Sequence, residues 1–270
     1  MGLFYRDIGL GFPVVILHGL YGSSDNWLPI GRMLAEKFRV IMVDLRNHGA
    51  SPHYNTHSYA DMVTDLAWLL HELEIEKAHL LGHSMGGKLA IAFAADYPEK
   101  IQSLCVADIA PKNYLKTPAS AIQYDFHKRL LNTLYNVDIS VLKNRGEIDR
   151  ALADSIPETI VRQFILKNVY RENGLFKWKI NVEVLRQSLD HIISGVDADD
   201  YDDRIPILNY PVLFIKGALS GYIGNDDIPI IKKMYPEAKI ETIENASHLL
   251  HAEKPNEFQN IVMGFWVAIR

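Results

Sequence analysis

The sequence predicts an α/β fold in which a mostly parallel sheet is covered by helices on both faces, with a helical cap inserted between two strands of the core. Several short runs rich in Val, Ile and Leu are apolar on both faces, which is the pattern of a strand buried from two sides. These runs alternate with stretches of helical spacing, and one of them leads straight into a serine flanked by glycines. The strand candidates are "VVILHG" (14–19), "RVIMVDL" (39–45), "AHLLGH" (78–83), "SLCVADI" (103–109), "PVLFIKG" (211–217) and "KIETI" (239–243). Helices are expected near 24–37, 58–75, 84–97, 226–235 and 253–269. Strands and helices that alternate in this way build parallel sheets through right-handed crossovers.

One interval breaks the rhythm. Residues 112–205 show no convincing strand but carry amphipathic helical runs, among them "AIQYDFHKRLLNTLY" and "PETIVRQFILKNVY". So long an interval is not a connecting loop. It is expected to be a helical cap inserted into a core made of 1–111 and 206–270. The acidic "DADDYDD" (197–203) fits no metal-loop spacing and reads as a solvated return loop.

Composition narrows the class further. Of 270 residues, 48% are hydrophobic and 23% charged, ordinary values for a globular enzyme. The formal net charge of -5 argues against nucleic acid or an anionic membrane as main partner. Cys105 is the single cysteine, so no internal disulfide forms, and its apolar neighbours "SLCVAD" make it a packed core thiol. The start "MGLFYRDIG" places Arg6 and Asp7 where a signal peptide needs an apolar stretch. No run approaches the ~18 apolar residues of a membrane-spanning helix. The expectation is a cytoplasmic protein acting on a small molecule, its oligomeric state left open.

The chemistry centres on "LLGHSMGG" (80–87), which contains G-x-S-x-G around Ser84. A serine on a strand-to-helix turn is held out of the sheet, and the helix N-terminus behind it favours developing negative charge. Such a nucleophile needs a base, an acid to orient the base, and donors for an oxyanion. His248, in "NASHLLHAEKP" after the last strand candidate, is the expected base, and His251 is expected to pack or hydrogen-bond beside it. His18, His48 and His83 are assigned structural or pocket-lining places. The loop "LHGLYGSS" (17–24) follows a strand, so the backbone N–H groups of Leu20 and Met85 are the expected oxyanion pair. No His/Asp/Glu cluster has ligand spacing, and neither metal nor cofactor is expected.

Taken together, "LHGLYGSSDNW", "VDLRNHGASPH", "LLGHSMGGKLA", "VADIAP" and "HLLHAEKP" resemble the α/β-hydrolase superfamily, and within it the YbfF-type esterases and their eukaryotic alpha/beta-hydrolase-domain relatives. The resemblance covers both core halves and leaves the cap without a match. It implies a mostly parallel eight-stranded sheet, ester or thioester hydrolysis without cofactor, and an acyl-enzyme intermediate. It also implies that Asp44 and Arg46 support the site from below. The departure concerns the acid. Where many superfamily members place an aspartate after the strand that here reads "PVLFIKG", this chain has Gly221 in "GALSGYIGNDD". The resemblance offers Asp108, in "VADIAP", instead. Asp108 also ends a buried strand, where a carboxylate needs a partner. Asp226 and Asp227 precede "IPIIKKMY" and are expected to cap a helix.

The expected function is a serine esterase, with acyl-CoA thioesters a further substrate option, using Ser84, Asp108 and His248. The many large apolar residues of the cap predict a pocket that selects acyl chains. Two alternatives use the same fold: a carbon–carbon bond hydrolase or lyase with the same triad, and a non-enzymatic ligand-binding receptor.

Overall fold

The computed structural model describes residues 2–116 and 121–269. Its central sheet contains β1 (Tyr5–Ile8), β2 (Pro13–Leu17), β3 (Arg39–Val43), β4 (Ala78–His83) and β5 (Ile101–Ala107) from the first half of the chain. A two-stranded antiparallel sheet, β6 (Val169–Glu172) and β7 (Leu175–Trp178), stands apart, and β8 (Val212–Gly217) with β9 (Lys239–Ile243) completes the central one. The central order is β1-β3-β2-β4-β5-β8-β9, with every pair parallel except β1 on β3. That makes seven strands among the described residues rather than the expected eight. A single antiparallel strand precedes the parallel set, and its sequence "YRDI" is half exposed at the sheet edge, so it lacks the apolar signature that marked the others.

Helices cover both faces. On one side α1 (Ser24–Leu34) packs Trp27, Ile30 and Leu34 into a cluster with Phe258 and Trp266 of the C-terminal helix. On the other, α2 (Tyr59–Glu72) and α3 (Met85–Asp96) bury Leu66, Leu69, Leu89 and Phe93. The start of α2 is set by Ser58 and Asp61: the Asp61 N–H donates to Ser58 Oγ (3.1 Å), and Asp61 Oδ2 accepts from the Ser58 N–H (3.4 Å). The inserted segment supplies α4 (Ala121–Asn136), α5 (Arg145–Ala153), α6 (Thr159–Leu166), α7 (Val182–Gln187) and α8 (Leu189–Ser194). Its apolar residues, such as Leu130, Ile148 and Ile165, run on into the same buried cluster as α2 and α3. The chain ends in α9 (Ile228–Met234), α10 (Leu250–Glu253) and α11 (Pro255–Ala268). None of the described helices is long and apolar enough to cross a membrane.

The inserted segment is not purely helical, because β6 and β7 pair as a hairpin. Asn173 and Gly174 form its turn with φ of 50° and 82°. Asn-Gly is the pair that a two-residue turn with both central φ positive prefers. The acidic return segment is ion-paired: Lys116 meets Asp197 (2.8 Å), and Lys233 meets Asp199 and Asp202 (3.0 and 2.9 Å).

The sheet aims four strand ends at one place. The ends of β2, β4 and β5 are in register at Leu17–Gly82 and His83–Ala107, and β8 continues from Ala107–Ile215. Beyond them come His18-Gly19-Leu20, Ser84, Asp108 and the loop after Gly217. In open α/β sheets this edge is where ligands gather. Close approach of α3 to the sheet depends on missing side chains. A Cβ on Gly86 would lie 2.4 Å from the Leu17 carbonyl oxygen and 2.5 Å from that of His18. Gly86→Ala is therefore expected to lower the free energy of unfolding by about 3 kcal/mol, read as a lower urea midpoint.

Candidate active site

Ser84 occupies the turn between β4 and α3 with φ 54° and ψ −119°. A side chain pays steric strain there, and the neighbours hold it in place. The Ser84 N–H donates to the Ala107 carbonyl (3.0 Å), and the Lys88 N–H donates to that of Ser84 (3.0 Å). A Cβ on Gly82 would meet the Gly86 carbonyl oxygen at 2.2 Å, so both flanking positions admit only glycine. The turn presents Oγ away from the sheet, where it donates to His248 Nε2 at 3.0 Å.

His248 Nδ1–H donates in turn to Asp108 Oδ2 at 2.8 Å. Asp108 is fully buried, with φ 53° at the end of β5, and its N–H continues the ladder to the Ile215 carbonyl (2.8 Å). Two more donors reach its carboxylate: the Gly217 N–H on Oδ1 (3.1 Å) and the Ser220 hydroxyl on Oδ2. The loop after β8 thus contributes a hydroxyl to Asp108, one residue before Gly221. The structure therefore brings together Ser84, His248 and Asp108, which are 140 or more residues apart along the chain for both contacts of His248.

Asp226 and Asp227 lie elsewhere. Asp226 is exposed. Asp227 stands at the N-cap of α9 but its side chain bonds no helix N–H, which corrects the capping expectation. Its backbone is already helical there, and the carboxylate instead accepts from Lys112 Nζ (2.6 Å) and the Gly224 N–H (2.8 Å).

The loop of Leu20 faces Ser84. Leu20 sits in a turn closed by the Gly22 N–H on the Gly19 carbonyl (2.9 Å), followed by Tyr21 with φ 64°. Asn168 Nδ2 from the cap holds the Tyr21 carbonyl at 2.8 Å. Met85 is the first residue of α3, where an N–H has no partner one turn earlier. Deeper down, His18 Nε2 accepts the Leu45 N–H (2.9 Å), His48 Nε2 the Tyr21 N–H (3.3 Å), and Asp44 the N–H groups of Ser24 and Ala50 (2.6 and 2.8 Å). Arg46 pairs with Asp65 at 2.6 Å. These groups shape the loops beneath the site, and none of these bonds reaches Ser84, Asp108 or His248.

His83, expected in a structural or pocket-lining place, donates from Nε2–H to the His248 carbonyl (2.7 Å). Other neighbours escaped the sequence reading, among them Tyr222, whose ring stacks on His248 (centroids 3.8 Å, 19°). His127, from α4, bridges the hydroxyls of Tyr21 and Tyr222 at 3.2 Å each. Lys88 is buried one turn along α3, and its ammonium donates to the carbonyls of Gly195 (2.7 Å), Ile193 (2.9 Å) and Lys112 (3.0 Å). Burial pulls its pKa down to about 7. A lysine inside an otherwise apolar helix was the available signal, since a buried ammonium requires partners.

Two cavities open on Ser84. One of about 440 Å³ runs under the cap past Phe126, Val161 and Phe164 and includes His248. The other, of about 30 Å³, runs along α3 past Met85 and Lys88. Leu20, Ser84, Gln123, His127 and Tyr222 line both. A separate cleft of about 430 Å³, beside Asp44 and Trp178, contains none of the three residues.

A strand-to-helix serine, a histidine from the last loop and an acid on a strand end, set on a mostly parallel sheet, form the candidate active site. The family profile of the alpha/beta hydrolase fold matches residues 13–255, and the chain belongs to that family. The chain is 35% identical to the sn-1-specific diacylglycerol lipase ABHD11 of Xenopus laevis, over 97% of this chain and 81% of the relative. It is 33% identical to Esterase YbfF of Escherichia coli (90% and 89% covered). Among solved structures it is similar to a marine microorganism esterase, with 41% identity, TM-score 0.89, and 98% and 99% of the two chains covered. The protein is a hydrolase of this esterase and lipase group.

The histidines around the site make its stability depend on pH. Burial, above all, lowers His57, His127 and His251 to about 3. His251 stacks on Trp27 (4.2 Å, 7°), and its Nδ1 is buried without a partner. Below pH ~6.5 the unfolded chain takes up protons that the folded state refuses, so stability falls as pH drops from about 6.5 towards 3. His251→Phe keeps the stack and removes one such group. Its loss of stability between pH 7 and pH 5, measured by denaturant titration, is expected to be smaller than that of the wild type by about 2 kcal/mol.

Proposed function

We propose that the protein is a serine esterase that cleaves carboxylic esters through an acyl-enzyme on Ser84. The observation that carries this reading is the unbroken relay from Ser84 Oγ to His248 Nε2 (3.0 Å) and from Nδ1 to Asp108 (2.8 Å) at the mouth of an apolar cavity. Ser84 Oγ attacks the acyl carbonyl while its proton passes to His248 Nε2. The oxyanion accepts from the N–H groups of Leu20 and Met85. Collapse breaks the bond to the leaving oxygen, which takes the proton from His248. Water then gives a proton to the same nitrogen, attacks the acyl-serine, and releases the acid as the proton returns to Ser84.

Asp108 fixes the tautomer that leaves Nε2 free to accept. Tyr222 on the ring face and His83 on the His248 carbonyl hold the imidazole plane. Thioesters would follow the same steps with a thiol as leaving group. The names of the esterase and lipase relatives support ester substrates. Cys105, reduced and buried in β5, suits a cytoplasmic location.

Ser84→Ala is expected to remove about 10⁶ of ester turnover. Mass spectrometry after fluorophosphonate treatment is expected to place the adduct on Ser84. An adduct on Ser23 or Ser24 would end this reading.

The acid is tested separately. Asp108→Asn is expected to keep the fold, seen by circular dichroism, and to cut turnover by up to about 10⁴. The double change Asp226→Asn/Asp227→Asn breaks the ion pair to Lys112 and is expected to leave turnover nearly intact. A dead double variant beside an active Asp108→Asn would move the acid to the later loop.

A further inference from the structure

The two cavities at Ser84 differ in size and share only part of their walls. In the tetrahedral intermediate the acyl carbon holds Ser84 Oγ, the oxyanion, the leaving oxygen and the acyl chain. Ser84 and the Leu20 and Met85 N–H groups fix the first two. The leaving oxygen must collect its proton from His248 Nε2, so it lies on the histidine side. The acyl chain takes the direction that remains.

The walls follow that division. His248 lines the large cavity with its chain neighbours Ser247 and Leu249, and all three are absent from the small one. The small cavity is bounded by Met85 and Lys88 of α3, by Ile109, and by Ile192 and Ile193 of α8. Its floor is pinned. The Lys88 ammonium draws the carbonyls of Ile193 and Gly195 onto α3, and the Tyr59 hydroxyl donates to the Ile192 carbonyl at 3.0 Å. A volume of about 30 Å³ has room for a methyl or ethyl group and no long chain. By contrast, about 440 Å³ of mostly apolar wall matches the size of a ligand pocket.

We infer that the substrates are short-acyl esters of large apolar alcohols, with the acetyl- or propanoyl-sized acyl group in the small cavity and the alcohol in the large one. The inference rests on the esterase function proposed above. It gives the cap a part in both selections, with Ile192 and Ile193 limiting the acyl group and Phe126, Val161 and Phe164 receiving the alcohol. His248 hands its proton to the alkoxide, the large alcohol departs through the large cavity, and water frees the short acid from Ser84.

Two ester series on the purified full chain test the assignment through kcat/KM. One holds acetate constant and lengthens the alcohol from two to ten carbons. The other holds ethanol constant and lengthens the acid over the same range. The first series is expected to rise about three- to fourfold per methylene over its first members, the gain of burying a methylene. The second is expected to fall by about tenfold or more beyond the propanoyl ester, since overpacking opposes a longer chain. Ile192→Ala should move that cut-off to longer acids, and Val161→Trp should flatten the alcohol series. A rise with acid length beside a flat alcohol series, or two flat series, overturns the assignment while the esterase function stands. If neither series is hydrolysed and Ser84 takes no fluorophosphonate, the esterase function falls and the assignment with it.

Discussion

A carboxylate buried at the end of a strand needs donors, and the convergence of donors on Asp108 organises the site. One comes from the backbone of Gly217 at the end of β8, one from Ser220 in the loop beyond, and one from His248 near the C-terminus. Each belongs to a different stretch of chain, so satisfying one side chain ties β5, β8 and the last loop together. The orientation of His248 follows, because Nδ1 is committed to Asp108 and only Nε2 is left to face Ser84. Tyr222 closes over the ring from the loop that provides Ser220, whose Oγ also accepts from the Tyr222 N–H (3.3 Å).

The second constraint is steric. Backbone meets backbone where β2, β4 and α3 converge, and glycine is required at 82 and 86. That packing pushes Ser84 into a positive φ, with Tyr21 and Asp108 also at positive φ around it. Strain gathered at one edge of a sheet is tolerated because the surrounding strands leave no relaxed alternative. The cap adds to this from above through Asn168 on Tyr21 and His127 between two tyrosines. Loop, nucleophile and cap therefore form one packed unit.

Much of this was legible in the residues. The apolar runs gave the parallel strands because burial on both faces leaves a continuous apolar signature, and G-x-S-x-G stood in its strand-to-helix setting. β1 was invisible because an edge strand with "YRDI" carries polar residues on its open side. The cap hairpin had a local signal, the Asn173–Gly174 pair, which the helical runs around it masked. Asp108 could be named from a motif, but its supporting serine could not: Ser220 is one more polar residue in a polar loop until β5 and β8 are paired. Tyr222 and His127 were out of reach for the same reason, since nothing local tells which aromatic or imidazole group a distant helix will deliver.

The separation along the chain between the groups that meet has a consequence for how the protein matures. Ser84 and His248 are 164 positions apart, and Asp108 and His248 are 140 apart. Contacts of such range form only after much of the intervening chain has been ordered, and sheets built from them fold slowly. The turn of Ser84 lies between β4 and α3, whereas His248 arrives with the final loop and helix. A nascent chain still lacking that last segment would hold Ser84 and Asp108 without the imidazole that bridges them. Assembly of the three is thus a late product of synthesis, reporting on closure of the entire sheet.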